Sequence, residues 1–377
     1  MRIVFWQNCL SPHQLPYIIY LINNKEVSEV VIAVGESISK ERKEMGWDIS
    51  NYPNLDKINL YINPNIETIT SIFEKEPQNS YHLFSGIRGF AFVYQSFIHS
   101  LSFSIKRGII TERPNTFAFG LPNGKPIWLH KLRFFIQNRK YIPYIDSIFA
   151  IGEGAATYYQ SISNKWKIFP FAYCTVENEV PISKTTNNQE VKFIFIGSLS
   201  WWKAVDSILY ASKLFNNRKD FSITIVGEGK EHVKLQQYVQ NHQLNNVHFI
   251  GTKPNKQIPS IIQEHDILIL PSIYDGWGAV VNEALMQGKY VICSDKCGAK
   301  ALLNNSTNGL IFKGGKYKEL ANKMQYCINN IATIREQEEQ RKKWANKCIA
   351  GKPIAHYMIN CLSGIQTNAP WETYVSH

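Results

Sequence analysis

Asp266-Ile-Leu-Ile-Leu-Pro-Ser-Ile-Tyr-Asp-Gly-Trp-Gly-Ala-Val-Val-Asn-Glu-Ala-Leu-Met-Gln-Gly288 is the most informative stretch of this 377-residue chain. Its apolar run predicts a buried strand over Asp266–Leu270 that ends at Pro271-Ser272. A loop holding Asp275, Gly276 and Gly278 follows, and the spacing from Ala279 to Gln287 predicts a helix carrying Glu283. Strand, glycine loop and helix in this order belong to open parallel sheets, whose ligand crevice lies beyond the C-terminal strand ends. Glycines at a helix start leave backbone N–H groups open to an anion, and Asp275 and Glu283 flank that position as acceptors for hydroxyl groups. Eight residues of helix turn through about 800°, which places positions 275 and 283 near one face, although Asp275 itself precedes the helix. The plain structural alternative is an acidic helix start that favours the macrodipole, with Glu283 incidental. The acid/base dyad of a glycoside hydrolase fits less well, because a Gly-rich anion site has no part in that reaction.

The same pattern repeats upstream. A strand over Lys192–Ile196 ends at Gly197-Ser198, and Lys203 stands about one turn before a helix from Ala204 to Phe215, placed to offset the charge of a diphosphate. Gly227 and Gly229 follow a strand over Ser222–Val226, where backbone can approach a base or ribose closely. A third glycine and the acid of a dinucleotide fingerprint are missing there, so NAD binding is not expected. Helices over Lys230–Gln243 and Ile258–Glu264 and strands over Val247–Ile250 and Tyr290–Cys293 complete this half. The first half shows strand-like runs at Ile3–Trp6, Val30–Val34, Lys57–Ile62, Tyr81–Phe84 and Ser147–Ala150, with a helix over Leu15–Ile22. A polar, breaker-containing stretch from Phe171 to Glu190 reads as a linker between the halves. Alternation of this kind predicts an α/β protein with two parallel sheets. The end, from Glu319, is largely helical, and its charged run Arg335 to Lys343 reads as a solvated helix face.

On these residues the sequence resembles the retaining GT-B glycosyltransferases of sequence family four, also called glycosyl transferases group 1, which build polysaccharides, glycolipids and lipopolysaccharides. The resemblance covers Val191 to about Phe312. It implies a GT-B fold: two Rossmann-like domains facing across a cleft, with residues 1–175 as the acceptor-side domain, 176–352 as the donor domain and 353–377 as a helix and tail crossing back to the first. Asp275 and Glu283 sit at the ends of that family's acid, seven residues, glutamate motif, with Asp where Glu is usual. The resemblance implies that Asp275 contacts the transferred sugar, that Gly276, Trp277 and Gly278 present backbone to sugar or phosphate, and that Glu283 binds the ribose hydroxyls. Lys203 resembles the lysine that holds the donor diphosphate, while Ser198 stands where an arginine is common. Gly197, Gly227, Gly229, Gly251, Pro271 and Ser272 match the remaining donor-side pattern. The implied reaction moves a sugar, with retention, from a UDP- or GDP-sugar co-substrate to a hydroxyl of a glycan or lipid-linked acceptor, in cell-surface polysaccharide synthesis. Neither a metal nor another cofactor is implied, and Asp275, Lys203 and His13 are the catalytic candidates. The first loop, Gln7-Asn-Cys-Leu-Ser-Pro-His13, is polar where the family carries glycines. His13, Arg88 and Glu112 are the acceptor-side candidates, and Ile151-Gly-Glu-Gly154 is a further loop that lines the cleft or simply turns.

Composition narrows the setting. Hydrophobic residues make up 44% of the chain and charged residues 19%, which is globular, and no apolar run approaches the roughly 18 residues that cross a bilayer. The N-terminal Met-Arg-Ile-Val-Phe-Trp turns polar at Gln7, so a signal peptide is not expected and a cytoplasmic setting is. Seven scattered cysteines fit free thiols, and no zinc spacing follows Cys293 and Cys297. The net charge of +11 favours anionic partners. It concentrates in residues 81–145, where nine Lys and Arg face one acid, Glu112, among many aromatics. That mixture suits peripheral contact with an anionic membrane or, alternatively, a nucleic acid, or simply core aromatics beneath a solvated face. Rival functions are a GT-B-like sugar-nucleotide epimerase, a nucleic-acid-binding protein and a catalytically inactive relative. The pairing of Asp275 with Glu283 favours transfer over epimerisation, and nucleic-acid binding would leave the second half unexplained, so no nucleic-acid partner is expected.

Overall fold

Ile3-Val-Phe-Trp6 becomes the centre of a sheet because strands buried on both faces need continuous apolar runs. In the computed structural model, which describes residues 1–38, 55–115, 126–175, 190–215, 218–304 and 306–373, the chain divides into two units. The first runs from Met1 to Val176 and takes in Ala350–Thr373, and the second runs from Glu177 to Ile349.

The first unit holds a parallel sheet of strands β1 (Arg2–Gln7), β2 (Glu29–Val34), β3 (Asn59–Ile62), β4 (Ser80–Ser85), β5 (Lys106–Glu112), β6 (Ser147–Ile151) and β7 (Lys167–Phe171), in the order 3-2-1-4-5-6-7. This is the doubly wound order, whose switch point falls between β1 and β4. Trp6 anchors one face of the core: its ring stacks on Phe73 at 4.8 Å between centroids, and its Nε1 donates to His82 Nδ1 at 3.1 Å. Burial, with the Arg2 and Arg107 charges nearby, holds His82 well below the usual imidazole range. On another helix of this unit, Gly351 opens the helix Gly351–Ser363, and a Cβ there would lie 2.6 Å from the carbonyl of Pro16 in the helix Leu15–Ile22. The two helices therefore pack at backbone distance, and the Tyr81 hydroxyl donates to Leu362 O at 2.7 Å.

The second unit holds β8 (Val191–Ile196), β9 (Phe221–Val226), β10 (Val247–Phe249), β11 (Ile267–Leu270), β12 (Tyr290–Ser294) and β13 (Gly309–Phe312), all parallel, in the order 10-9-8-11-12-13. Its switch point lies between β8 and β11, whose pairing joins Ile267 to Phe193.

The alternation of strands and helices is thus borne out as two parallel sheets, with three additions. β5 opens with Lys-Arg-Gly and gains its place only because β4 and β6 pair on both sides. β7 contains Pro170, which a strand at the sheet edge tolerates. β13, four residues long, is the edge beside β12. The linker reading falls mostly on residues 176–189, outside the described residues.

One expectation is overturned. The run Arg335 to Lys343 is not a solvated face, because several of its charges close the base of the second unit. Arg335 grips both carboxylate oxygens of Asp266 at 2.8 and 3.0 Å, Lys289 pairs with Glu338, and Arg341 donates to Gly288 O at 2.7 Å and to Thr307 O at 3.2 Å. Buried charges need such partners, and carbonyls left at helix and loop ends supply them.

Candidate active site

The loops after β8 and β11 meet at the C-terminal edge of the second sheet. After β8 the chain passes Gly197 and Ser198 and winds through the short turn Trp201–Lys203, which ends in left-handed Ala204 at φ 51°. Ile273 N donates to Trp202 O at 2.8 Å and ties this turn to the loop after β11. Lys203 Nζ consequently lies 2.6 Å from Asp275 Oδ2, and Ser272 Oγ donates to the same oxygen at 3.4 Å. The lysine stem passes Gly197, where an added Cβ would stand 4.0 Å from Lys203 Cε. Both side chains of the pair are largely but not wholly shielded, at 20% and 14% exposure. The ion pair is therefore reachable by a ligand while escaping most solvent screening.

Asp275 is positioned by backbone pairing with the segment after β12. Its N–H donates to Lys296 O at 3.3 Å, and its carbonyl accepts from Gly298 N–H at 3.0 Å. Its place owes nothing to helix periodicity, so the shared-face argument does not apply to it. Trp277 is buried beneath the loop, with its Nε1 donating to Asn282 Oδ1 at 2.7 Å, and its carbonyl accepts from Ala299 N–H and from Cys297 Sγ, each at 2.7 Å. That carbonyl is thus committed to the protein. Gly278 has φ 95°, and a Cβ there would meet Cys297 Sγ at 2.6 Å and Leu270 Cδ2 at 2.7 Å, so no side chain fits. Gly276 lies in the same half-buried loop.

Glu283 stands in the helix Val280–Met286, half-buried, and among the described residues its carboxylate has no hydrogen-bond or ion-pair partner. Burial pushes its pKa up to about 7. A carboxylate left in that condition weakens the fold, and such perturbed groups cluster at functional sites.

The glycines after β9 and β10 also pack the loops against one another. A Cβ on Gly227 would sit 1.9 Å from Gly197 O, and one on Gly229 would sit 2.5 Å from Leu199 O. Gly227 N donates to Gly251 O at 2.9 Å, and Leu199 N donates to Glu228 O at 2.8 Å. These glycines let three consecutive loops stack backbone on backbone, which fixes the loop that delivers Lys203. Gly227→Ala is expected to cost about 2–4 kcal/mol of stability, measured by chemical denaturation. A loss under about 0.5 kcal/mol would refute the close-packing account.

Acceptor-side candidates sit in the first unit. A pocket of about 310 Å³ at the C-terminal end of β1, β4 and β5 is lined by Asn8, Ser11, Gln14, Gly86, Glu112 and Tyr173, among others. Glu112 belongs to it. His13 lies beside Tyr173 at 6.3 Å between ring centroids, and its carbonyl accepts from Cys174 N–H at 3.1 Å. Arg88, the third candidate, is engaged by the first unit's own groups. Its guanidinium donates to Asn138 Oδ1 at 3.0 Å and Gln137 O at 2.8 Å and lies 4.8 Å from the centre of the Tyr94 ring, so it serves as a strut holding the end of a helix. Sequence reading missed Ser272 as a partner of Asp275 within the same loop, and the Cys297 contact behind that loop, which arises where the segment after β12 packs against it.

Residues 177–348, nearly all of the second unit, match the family model of glycosyl transferases group 1. Among curated proteins, a 2-deoxystreptamine glucosyltransferase from Streptomyces kanamyceticus is 24% identical over 173 residues, covering 43% of this chain and 44% of that protein. Over such matches the chain spans under half the length of its curated relatives. Among solved structures, Anabaena HepE in complex with UDP superposes with a TM-score of 0.68 at 15% identity, covering 97% of this chain and all of that one. The lipopolysaccharide outer core galactosyltransferase WaaB, in its apo form, reaches the same TM-score at 14% identity over 97% of this chain. These likenesses establish the GT-B class of fold.

Proposed function

We propose that the protein is a retaining glycosyltransferase that moves a sugar from a nucleoside diphosphate sugar to a hydroxyl of a glycan or lipid-linked acceptor, in cell-surface polysaccharide synthesis. The observation that carries this reading is the Lys203–Asp275 pair at the switch point of a glycosyl transferases group 1 unit, with Glu283 unpartnered on the following helix. HepE with UDP and the lipopolysaccharide galactosyltransferase WaaB, as structural neighbours, support a nucleotide-sugar donor and a surface-glycan setting.

In this reading the donor diphosphate takes Lys203 from Asp275, and the released carboxylate accepts from hydroxyls of the transferred sugar. As the bond to the anomeric carbon breaks, negative charge grows on the departing phosphate. Lys203, in a site largely shielded from water, stabilises that charge. Glu283 in its ionised form accepts both ribose hydroxyls. The acceptor hydroxyl attacks from the face that the diphosphate leaves, which retains configuration. With Arg absent at position 198, the diphosphate depends on Lys203 more than in relatives that carry both cations.

Titration calorimetry with UDP- and GDP-sugars tests the reading. Saturable binding of one nucleotide class, lost in Glu283→Ala, is expected. An absence of binding to every sugar nucleotide would overturn it in favour of an inactive relative.

A further inference from the structure

The helix Ile127–Asn138 is built inside out. Its core-facing side carries His130, Phe134 and Asn138: Phe134 packs edge-on against Tyr158, Tyr159 and Trp166, while Asn138 Oδ1 accepts from Arg88. Trp128, Leu129, Leu132, Phe135 and Ile136 all point to solvent, at 60%, 37%, 48%, 44% and 58% exposure. At 100° per residue these five fall within an arc of about 120° lying opposite the buried side. Surface helices normally carry their polar face there, and a contiguous exposed apolar patch marks a binding surface.

The flanking charges say what covers it. Arg133 is exposed beside the arc, Arg139 and Lys140 are exposed just past the C-terminal end of the helix, and the helix itself contains no acid. Beyond its C-terminal end an open groove of about 720 Å³ continues the apolar surface through Tyr94, Ile98, Leu101 and Tyr144, with Lys140 at its edge. No described helix is long and apolar enough to cross a membrane. An aromatic and aliphatic face bordered by cations matches a helix lying in the plane of an interface, its apolar side among acyl chains and its cations among anionic headgroups.

We infer that the helix Ile127–Asn138 docks the protein on anionic phospholipid bilayers. Two corrections to the sequence reading refine the surface. Arg107 is buried, donating to carbonyls of Ser100, Phe103 and Ile105, and Lys131 is turned toward the Tyr158 ring, so neither belongs to it. Because Arg88 and Phe134 fix the helix to the first unit, docking holds that unit against the surface. The inference is independent of the reaction proposed above.

Flotation of the full chain with vesicles of phosphatidylcholine, with and without phosphatidylglycerol, provides the test. Binding is expected to the anionic vesicles and to weaken with salt. The triple variant Trp128→Gln/Leu132→Gln/Ile136→Gln should bind at least about tenfold more weakly at any salt. Arg133→Glu/Arg139→Glu/Lys140→Glu should lose binding mainly at low salt. Circular dichroism and thermal unfolding check that both variants fold. Equal flotation of all three proteins, or none by the wild type, would overturn the inference. So would a lipid-free dimer that dissociates in the apolar variant, since that assigns the face to a second copy.

Discussion

Replacing Lys203 by Ala is expected to lower turnover with the cognate sugar nucleotide by about two to three orders of magnitude, the cost of removing one pre-aligned charge from a developing anion. Affinity for the free nucleoside diphosphate should fall as well. Lys203 also has a resting partner, because its Nζ lies 2.6 Å from Asp275 Oδ2 with both side chains mostly shielded. Removing the lysine strands a half-buried carboxylate, so Lys203→Ala should also destabilise the fold by about 1–2 kcal/mol. Adding Asp275→Asn should recover much of that stability and none of the activity. Activity returning with stability in the double variant would show that Lys203 serves the fold alone, and steady-state kinetics beside urea denaturation of the single and double variants decides between the two.

Glu283→Gln should separate stability from binding by pH. Folding raises the carboxyl pKa from its usual 4.5 to about 7, so the folded chain holds this proton more tightly than the unfolded one. The raised pKa favours the fold below about 4.5, and that advantage is lost as pH rises through 7. The variant, neutral throughout, should match wild type near pH 4 and exceed it at pH 8 by up to about 3 kcal/mol, less whatever solvent reaches the half-buried side chain. Donor binding should run the other way. If the ionised carboxylate accepts the ribose hydroxyls, wild-type affinity rises as pH climbs through 7, whereas Glu283→Gln binds weakly and without that pH dependence. Thermal unfolding and calorimetry at a series of pH values read both quantities. A variant no more stable than wild type at pH 8 would contradict the burial account, and one that keeps wild-type affinity would remove Glu283 from the site.

The sequence by itself determined the alternation of elements and the chemistry-bearing segment. Apolar runs such as Ile3–Trp6 and Ile267–Leu270, short and bounded by polar or breaker residues, were legible as strands buried on both faces. The order Gly197, Lys203, Asp275, Glu283 was legible for the same reason: each follows a strand, and strand ends carry the crevice. Local patterning could not decide what depends on partners far along the chain. β5 exists through its neighbours on both sides. The role of the glycines at 227 and 229 as spacers between loops could not be read, since what a bare backbone approaches is known only once the loops are stacked. Several charges of the run from Arg335 changed from surface charges to internal struts because carbonyls and carboxylates from other elements converge on them. Which face of the helix Ile127–Asn138 meets the core was likewise beyond its own sequence. Its apolar side is the larger, yet Phe134, held among Tyr158, Tyr159 and Trp166, turns the other side inward, and only tertiary packing makes that choice.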